Sequence, residues 1–167
     1  MSWHDYASDS TLQQGELLWE CPRVSLDRAV FHEPTEFDVE NVHAVIMTQS
    51  CDLVRRADGT PKVSTVLLAR FHMKSELSRE LAFSRASKWE EIRKGRLPRF
   101  HVTDRIRFPE VGEDFLLVDL ADTFSLNFDL AVETAVGCGT RPRLLPPLSR
   151  TLVTGLRSIL HASGTAR

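Results

Sequence analysis

The strongest strand signal in the chain is VHAVIMT, at residues 42–48. Nearly every side chain in it is apolar, which is typical of a strand that is covered on both faces. The run continues into QSCDL at residues 49–53, and the Asp58-Gly59 pair that follows is typical of a turn between two strands. Residues 62–71 are predicted to form the return strand, so this hairpin is expected at the centre of the fold.

Further strands are predicted on both sides of this hairpin, at residues 15–19, 24–31, 97–102, 105–108, 115–120 and 124–130. Apolar residues at helical spacing, including Leu77, Trp89 and Ile92, predict a helical insertion at about 75–94. A second apolar stripe after Pro146-Pro147 predicts a C-terminal helix at about 148–162. The predicted fold class is α+β: a mostly antiparallel, β-barrel-like domain with a helical insertion and a C-terminal helix.

Length and composition favour one domain. The chain has 167 residues, of which 42% are hydrophobic and 26% are charged, as in ordinary globular proteins. Residues 1–13 are predicted to be a flexible N-terminal arm and residues 14–164 a single β-rich domain. No apolar run reaches 18 residues, so no membrane partner is expected. No secretory signal is expected from the polar N-terminal residues, and three widely spaced cysteines favour reduced thiols and a cytoplasmic location.

The net charge of −2 hides an asymmetry along the chain. Residues 1–60 carry 11 acidic and 4 basic side chains, whereas residues 61–167 carry 12 acidic and 17 basic ones. The cations are 17 Arg and only 4 Lys, and Arg suits bidentate contacts with carboxylates, phosphates and bases. Biased genomic composition would give the same ratio. The pI of about 6.3 argues against a constitutive, non-specific nucleic-acid binder.

Three motifs carry a resemblance: QGELL at residues 14–18, TQSCDL at 48–53 and RLLPP at 143–147. With GRLPRFHV at 95–102, they resemble a group of small uncharacterised bacterial proteins, to which no activity is attached. The chain is also similar, more distantly, to the PemK/MazF toxins, which are small β-barrels that cleave RNA. That resemblance implies a barrel-like fold, although Val42-His43 replaces the Arg-Pro pair of those toxins and the helical insertion is foreign to them.

Cys51 is the sharpest candidate for chemistry, because it lies where a buried strand gives way to a loop. A nucleophilic thiol needs a neighbouring base or cation. His101 is the best base by residue type, and Asp119 or Asp52 would orient its imidazole. The alternative is a buried structural cysteine, with Asp52 capping the turn. The adjacent Asp52 also counts against catalysis, since it would raise the pKa of the thiol.

A metal site is not predicted. Structural zinc sites pair ligands two to four residues apart, and the three cysteines show no such pairing. The nearest approach to a cluster is Cys51 with His43, His72 and His101, and those histidines fit core or rim positions better. No cofactor is predicted either.

Residues 84–108, here called the basic segment, carry eight cations against three acids. Aromatic residues lie between the cations, and phosphate-neutralising cations with base-stacking rings are what single-stranded nucleic-acid binding requires. The predicted binding residues are Arg85, Lys88, Trp89, Arg93, Arg96, Arg99, Phe100 and Arg105. A solvated helix face with edge-strand charges, self-association, or docking on an acidic partner would give the same pattern.

The sequence thus favours a bacterial cytosolic accessory or regulatory protein that binds RNA, single-stranded DNA or a protein partner through the basic segment. The first alternative is a thiol enzyme for acyl or thiol transfer, with Cys51 as nucleophile, His101 as base and Asp119 as orienting group. The second is a toxin-like endoribonuclease, in which Arg99, His101 and Arg105 would stabilise the cleaved phosphate.

Overall fold

The computed structural model describes residues 4–26, 37–77, 86–108 and 112–145. In chain order the elements are β1 (His4–Ala7), β2 (Leu17–Leu26), β3 (Phe37–Ile46), β4 (Thr65–Met73), α1 (Lys74–Leu77), α2 (Ala86–Arg93), β5 (Phe100–Val102), β6 (Ile106–Phe108), β7 (Gly112–Asp114), β8 (Leu116–Asn127), α3 (Phe128–Cys138) and β9 (Arg141–Leu144). The predicted α+β class is therefore confirmed.

The main sheet has five antiparallel strands in the order β2-β3-β4-β8-β5. Two further antiparallel pairs, β1 with β9 and β6 with β7, stand beside it. A single bridge between Glu16 and Arg143 links β9 to the start of β2. The strands of the described ranges do not close into a barrel.

The predicted central hairpin is present as β3 and β4, and its side chains alternate between two apolar cores. One face, here called face A, includes Val45, Ala69 and Val118, and Ile106 of β6 and Leu144 of β9 pack into the same cluster. The other face, face B, includes Ala44, Ile46 and Leu68. Because both faces are covered, the strand had to be apolar at nearly every position.

Face B is covered at two separate places by helices. Phe128, Ala131 and Ala135 of α3 pack on the part of the sheet that holds Leu68. A smaller cluster at the other end joins Trp89 and Ile92 of α2 to Leu77 and Leu117, with Phe100 and Phe115 at its border. These two covers leave the middle of face B to polar side chains.

Helix α3 corrects the prediction of a strand at residues 124–130. Strand β8 continues to Asn127, whose side chain accepts a hydrogen bond from the backbone N–H of Asp129 and so begins the helix. Residues 124–127 are thus the end of β8, residues 128–130 are helical, and the cap at Asn127 was missed. The predicted C-terminal helix at 148–162 lies outside the described residues.

Strand β2 also differs from its prediction as two strands separated at Pro22. It is one strand with a bulge between Leu18 and Cys21, where Glu20 has φ of 50°. Proline is tolerated there because β2 is the outer strand of the five-stranded sheet, so one of its edges lacks a continuous neighbour.

In two more segments the structure is more detailed than the prediction. Residues 4–7 of the predicted flexible arm form β1, paired with β9, so this part of the arm is tied to the fold. The predicted insertion at 75–94 contains two short helices, α1 and α2, and residues 78–85 between them lie outside the described ranges. Among the described residues, no helix has the length and apolar character needed to cross a membrane.

Candidate functional site

Cys51 lies in an exposed turn after β3. Its thiol donates to Gln49 Oε1 at 3.7 Å, and Lys62 Nζ donates to its backbone carbonyl at 3.0 Å. Lys62 also forms an ion pair with Asp52 at 2.6 Å. The expectation that Cys51 is a buried core residue is therefore wrong, and no imidazole contacts the thiol within the described residues.

His101 lies on β5, opposite Val118 of β8, and this pairing places it on face A. Burial lowers the pKa of its imidazole below the ordinary 6.5. Its Nε2 is buried without a hydrogen-bond partner in the described structure. Strand β5 is three positions from β3 in the sheet, which separates the two strand axes by about 14 Å at about 4.8 Å per position.

Asp119 follows Val118 on β8, so its side chain lies on face B, opposite to that of His101. Its carboxylate accepts a bidentate pair of hydrogen bonds from Arg99, at 2.8 Å from Nε and 2.6 Å from Nη2. The predicted arrangement of Cys51, His101 and Asp119 is thus not assembled. Arg99 and His101, paired in the nuclease hypothesis, also lie on opposite faces.

The cations of helix α2 are engaged by acids of the same helix. Lys88 Nζ lies 3.2 Å from Glu91 Oε2, and Arg93 Nη1 lies 3.1 Å from Glu90 Oε1. Both pairs have i,i+3 spacing and are solvent-exposed, so each is weak but keeps an acid beside its cation. Arg85 lies outside the described residues.

Two aromatic residues of the basic segment, Trp89 and Phe100, pack against the protein itself. Trp89 is only 8% exposed and packs edge-on against Phe115, with ring centroids 6.1 Å apart. Phe100 is half-buried and packs at the border of the same cluster. Trp89 is therefore packed within the protein, and its predicted role as a base-stacking ring stays a prediction.

Cations instead lie over the rings of Trp89 and Phe115. Lys74 Nζ lies 4.8 Å from the Trp89 ring centroid and 5.3 Å from that of Phe115. The Arg105 guanidinium carbon lies 5.1 Å from the Phe115 centroid. A cation–π contact holds each cation in place while its other side faces water. We call Lys74 and Arg105 the cation rim.

The cation rim has no carboxylate partner within the described ranges. The nearest acids in sequence, Asp104 and Glu76, and also Asp114 accept hydrogen bonds from backbone N–H groups instead. Asp104 accepts from Arg105 N at 2.8 Å, and Asp114 accepts from Ser75 N and Phe115 N at 2.9 and 2.8 Å. Lys94 and Arg96 are exposed in the same segment of the chain. The predicted residues Arg96 and Arg105 therefore remain available to an anion, whereas Lys88, Arg93 and Arg99 are already paired.

The three resemblance motifs meet at a structural junction rather than at a reactive site. Gly15 N donates to Ile46 O, and Leu144 N donates to Gly15 O, both at 2.9 Å. Gln14 Nε2 donates to Met47 O at 3.1 Å, and its backbone N–H donates to Ser50 Oγ at 3.0 Å. The motifs therefore join the start of β2, the end of β3 and β9.

A buried ion pair fixes the same junction, and we call it the Glu16–Arg141 clamp. Both side chains are fully buried, and Arg141 Nε donates to Glu16 Oε2 at 3.0 Å. The guanidinium also donates to the carbonyls of Ala135, Gly139 and Asp9, at 2.9, 3.1 and 2.7 Å. One arginine thus ties the N-terminal segment, β2 and the end of α3 together.

Sequence reasoning missed a row of charged side chains between the two helical covers of face B. We call it the polar strip: Arg23, Glu40, Arg70, His72, Asp119 and Asp122. Arg23 Nη1 lies 3.2 Å from Glu40 and 2.9 Å from Asp122. The available sequence signal was the pair of polar residues Arg70 and His72, which follow the apolar Leu68 at alternate positions of β4.

No group of three His, Cys, Asp or Glu residues in the described ranges is placed to hold a metal ion. Comparison with protein-family models, curated proteins and solved structures found no significant match to this chain. The two resemblances drawn from the motifs therefore stay predictions.

Proposed function

We propose that the protein binds the phosphate backbone of single-stranded nucleic acid, with Lys74 and Arg105 as the principal contacts and Arg96 as a supporting one. The observation that carries the proposal is the cation rim. Two exposed cations are held against one aromatic ring, and neither has a carboxylate partner among the described residues.

Pre-positioning is what distinguishes the rim from other surface cations. A long basic side chain loses rotamer freedom when it captures a phosphate. The Phe115 contact has already restricted Lys74 and Arg105, so less freedom is lost on binding. Lys88 and Arg93 must in addition leave a glutamate. The rim therefore favours phosphate contacts without base stacking, and such contacts carry no sequence preference.

The test compares two double variants of equal charge. Fluorescence anisotropy with a labelled single-stranded RNA and a matched DNA measures Kd at 50 mM salt. We expect Lys74→Ala/Arg105→Ala to weaken binding by about tenfold, because two phosphate contacts are lost. Lys88→Ala/Arg93→Ala removes the same charge from α2 and is expected to change Kd by less than about threefold.

Two results would overturn the proposal. One is an absence of wild-type binding to either polymer at 50 mM salt. The other is an equal loss in both double variants, since general charge and not the rim would then govern binding. An acidic protein partner would be indicated if the rim variants lost a cellular interaction while the purified protein bound neither polymer.

We also propose a barrel-like closure and a cytoplasmic setting for this accessory protein. Tyr6 of β1 donates its hydroxyl proton to Arg107 O of β6 at 3.0 Å, and the Glu16–Arg143 bridge joins β9 to β2. These contacts support a sheet that curls round face A. Cys21, Cys51 and Cys138 are all free thiols, which supports a reducing compartment.

A further inference from the structure

We propose that Arg70 and His72 in the polar strip form a second binding site, for the oxyanion group of a small phosphorylated or carboxylated ligand. The two side chains are two positions apart on β4 and so lie on the same face. This site is separate from the cation rim and does not depend on the nucleic-acid proposal.

The carboxylates of the polar strip are already engaged by nearby donors. Asp119 is bonded to Arg99, and Asp122 and Glu40 are both close to Arg23. Glu76, which lies near His72, accepts from the backbone N–H of Met73 at 3.2 Å. Each neighbouring carboxylate therefore already has a donor, although Glu40 and Asp122 share Arg23 Nη1 and Asp122 Oδ1 is buried without a hydrogen-bond partner in the described structure.

Arg70 is the cation of the strip that is not committed in this way. Its Nη1 lies 3.8 Å from both Glu40 and Asp122, which is beyond hydrogen-bond distance. Both contacts involve Nη1, so the edge formed by Nε and Nη2 is left without a partner in the described structure. That edge presents two parallel N–H donors, the arrangement that binds a carboxylate or phosphate in a bidentate manner.

His72 lies two positions along β4 on the same face and supplies a further donor. It is half-buried, and its imidazole forms no hydrogen bond within the described part of the chain. The charged groups around it are Arg70 on its own strand, Asp119 and Asp122 on β8, and Glu76 on α1. The side chain of Arg70 is 29% exposed, so the donors lie in a partly desolvated position that an oxyanion can still reach.

The test is a residue-resolved titration of the full chain with inorganic phosphate and, separately, with acetate. Two-dimensional ¹H–¹⁵N NMR follows the side-chain Nε–H of Arg70 and the backbone amides of residues 70–73. We expect saturable shifts with Kd on the order of 1–10 mM, as a few charge-assisted hydrogen bonds at a half-exposed site provide. Tighter binding of phosphate indicates a phosphorylated ligand, and tighter binding of acetate indicates a carboxylated one.

Four variants make the result specific. Arg70→Lys keeps the charge but loses the bidentate edge, and we expect Kd to rise about fivefold. His72→Gln should raise Kd by about twofold to threefold, while Arg56→Gln, an exposed arginine on a distant loop, should leave it unchanged. In Lys74→Ala/Arg105→Ala the shifts at Arg70 should persist, so failure of this site is distinguishable from failure of the nucleic-acid proposal.

The proposal is overturned if neither ion shifts the Arg70 Nε–H at concentrations up to about 50 mM. It is equally overturned if well-dispersed spectra show that Arg70→Lys and His72→Gln are folded and bind with wild-type Kd.

Discussion

Arg141 and Arg105 are the same residue type in opposite situations. Arg141 is fully buried and donates to Glu16 and to three backbone carbonyls. Arg105 is exposed, rests on the Phe115 ring and has no carboxylate partner among the described residues. In the clamp the arginine stabilises the fold, whereas in the rim the arginine is available to bind an external anion. An arginine-rich composition therefore indicates function only where the structure leaves the guanidinium unengaged.

The largest expected effect concerns the clamp. Arg141→Leu should lower the free energy of unfolding by about 3–5 kcal/mol, because it leaves Glu16 buried without its cation. Urea denaturation with an unchanged m-value measures this loss. Arg105→Leu, the matched change at the rim, should alter stability by no more than about 0.5 kcal/mol. Equal losses in the two variants would remove the distinction between clamp and rim.

A second prediction concerns Gly15, which lies at the junction that the clamp fixes. Gly15 has φ of 87°, and a Cβ atom placed there would lie 2.5 Å from Leu144 O. Gly59 has φ of 83° but no heavy atom within 4 Å of the same position. Gly59→Ala should cost about 1 kcal/mol through the positive φ alone, and Gly15→Ala about 2–4 kcal/mol because the backbone must also move.

Thermal or urea unfolding of the two alanine variants checks this difference directly. If Gly15→Ala proved no more costly than Gly59→Ala, the close approach of Gly15 to β9 would not constrain the fold.

The sequence could predict the central hairpin but not the clamp. The apolar run at 42–48 is a local signal, and burial on both faces left it little freedom. Arg141 and Glu16 are 125 residues apart, and the sequence around each of them gives no indication of the pairing. Such pairs depend on topology, which pattern reasoning did not supply.

The basic segment was predictable in part. Its charge count correctly located exposed cations, including Arg96 and Arg105. The i,i+3 spacing of Glu90 to Arg93 and of Lys88 to Glu91 was visible in the sequence and should have indicated pairing. The burial of Trp89 could not be predicted from the segment alone, because the residues that cover it lie elsewhere in the chain. Phe115 directly precedes β8, and Leu117 belongs to β8.

A change in pH is expected to have a smaller effect on the free energy of unfolding. This effect depends on buried histidines away from the rim. Burial lowers the pKa of His101 and of His72 below 6.5 in the folded protein. The unfolded chain then binds more protons below pH 6.5, so stability should fall as pH drops below that value. His101→Leu should lose less stability between pH 7.5 and 5 than the wild type.

Urea midpoints measured across that pH range test this prediction. A His101→Leu protein with the same pH dependence as the wild type would show that the buried imidazole does not contribute to acid sensitivity.

The most direct test of the central claim is the salt dependence of single-stranded RNA binding. For single strands, log Kd changes with log salt by about 0.7 per phosphate contact. We predict that Lys74→Ala/Arg105→Ala reduces this slope by about 1.4 relative to the wild type, while Lys88→Ala/Arg93→Ala leaves it nearly unchanged. Slopes that are equal in the wild type and the rim variant would contradict the claim that Lys74 and Arg105 contact phosphates.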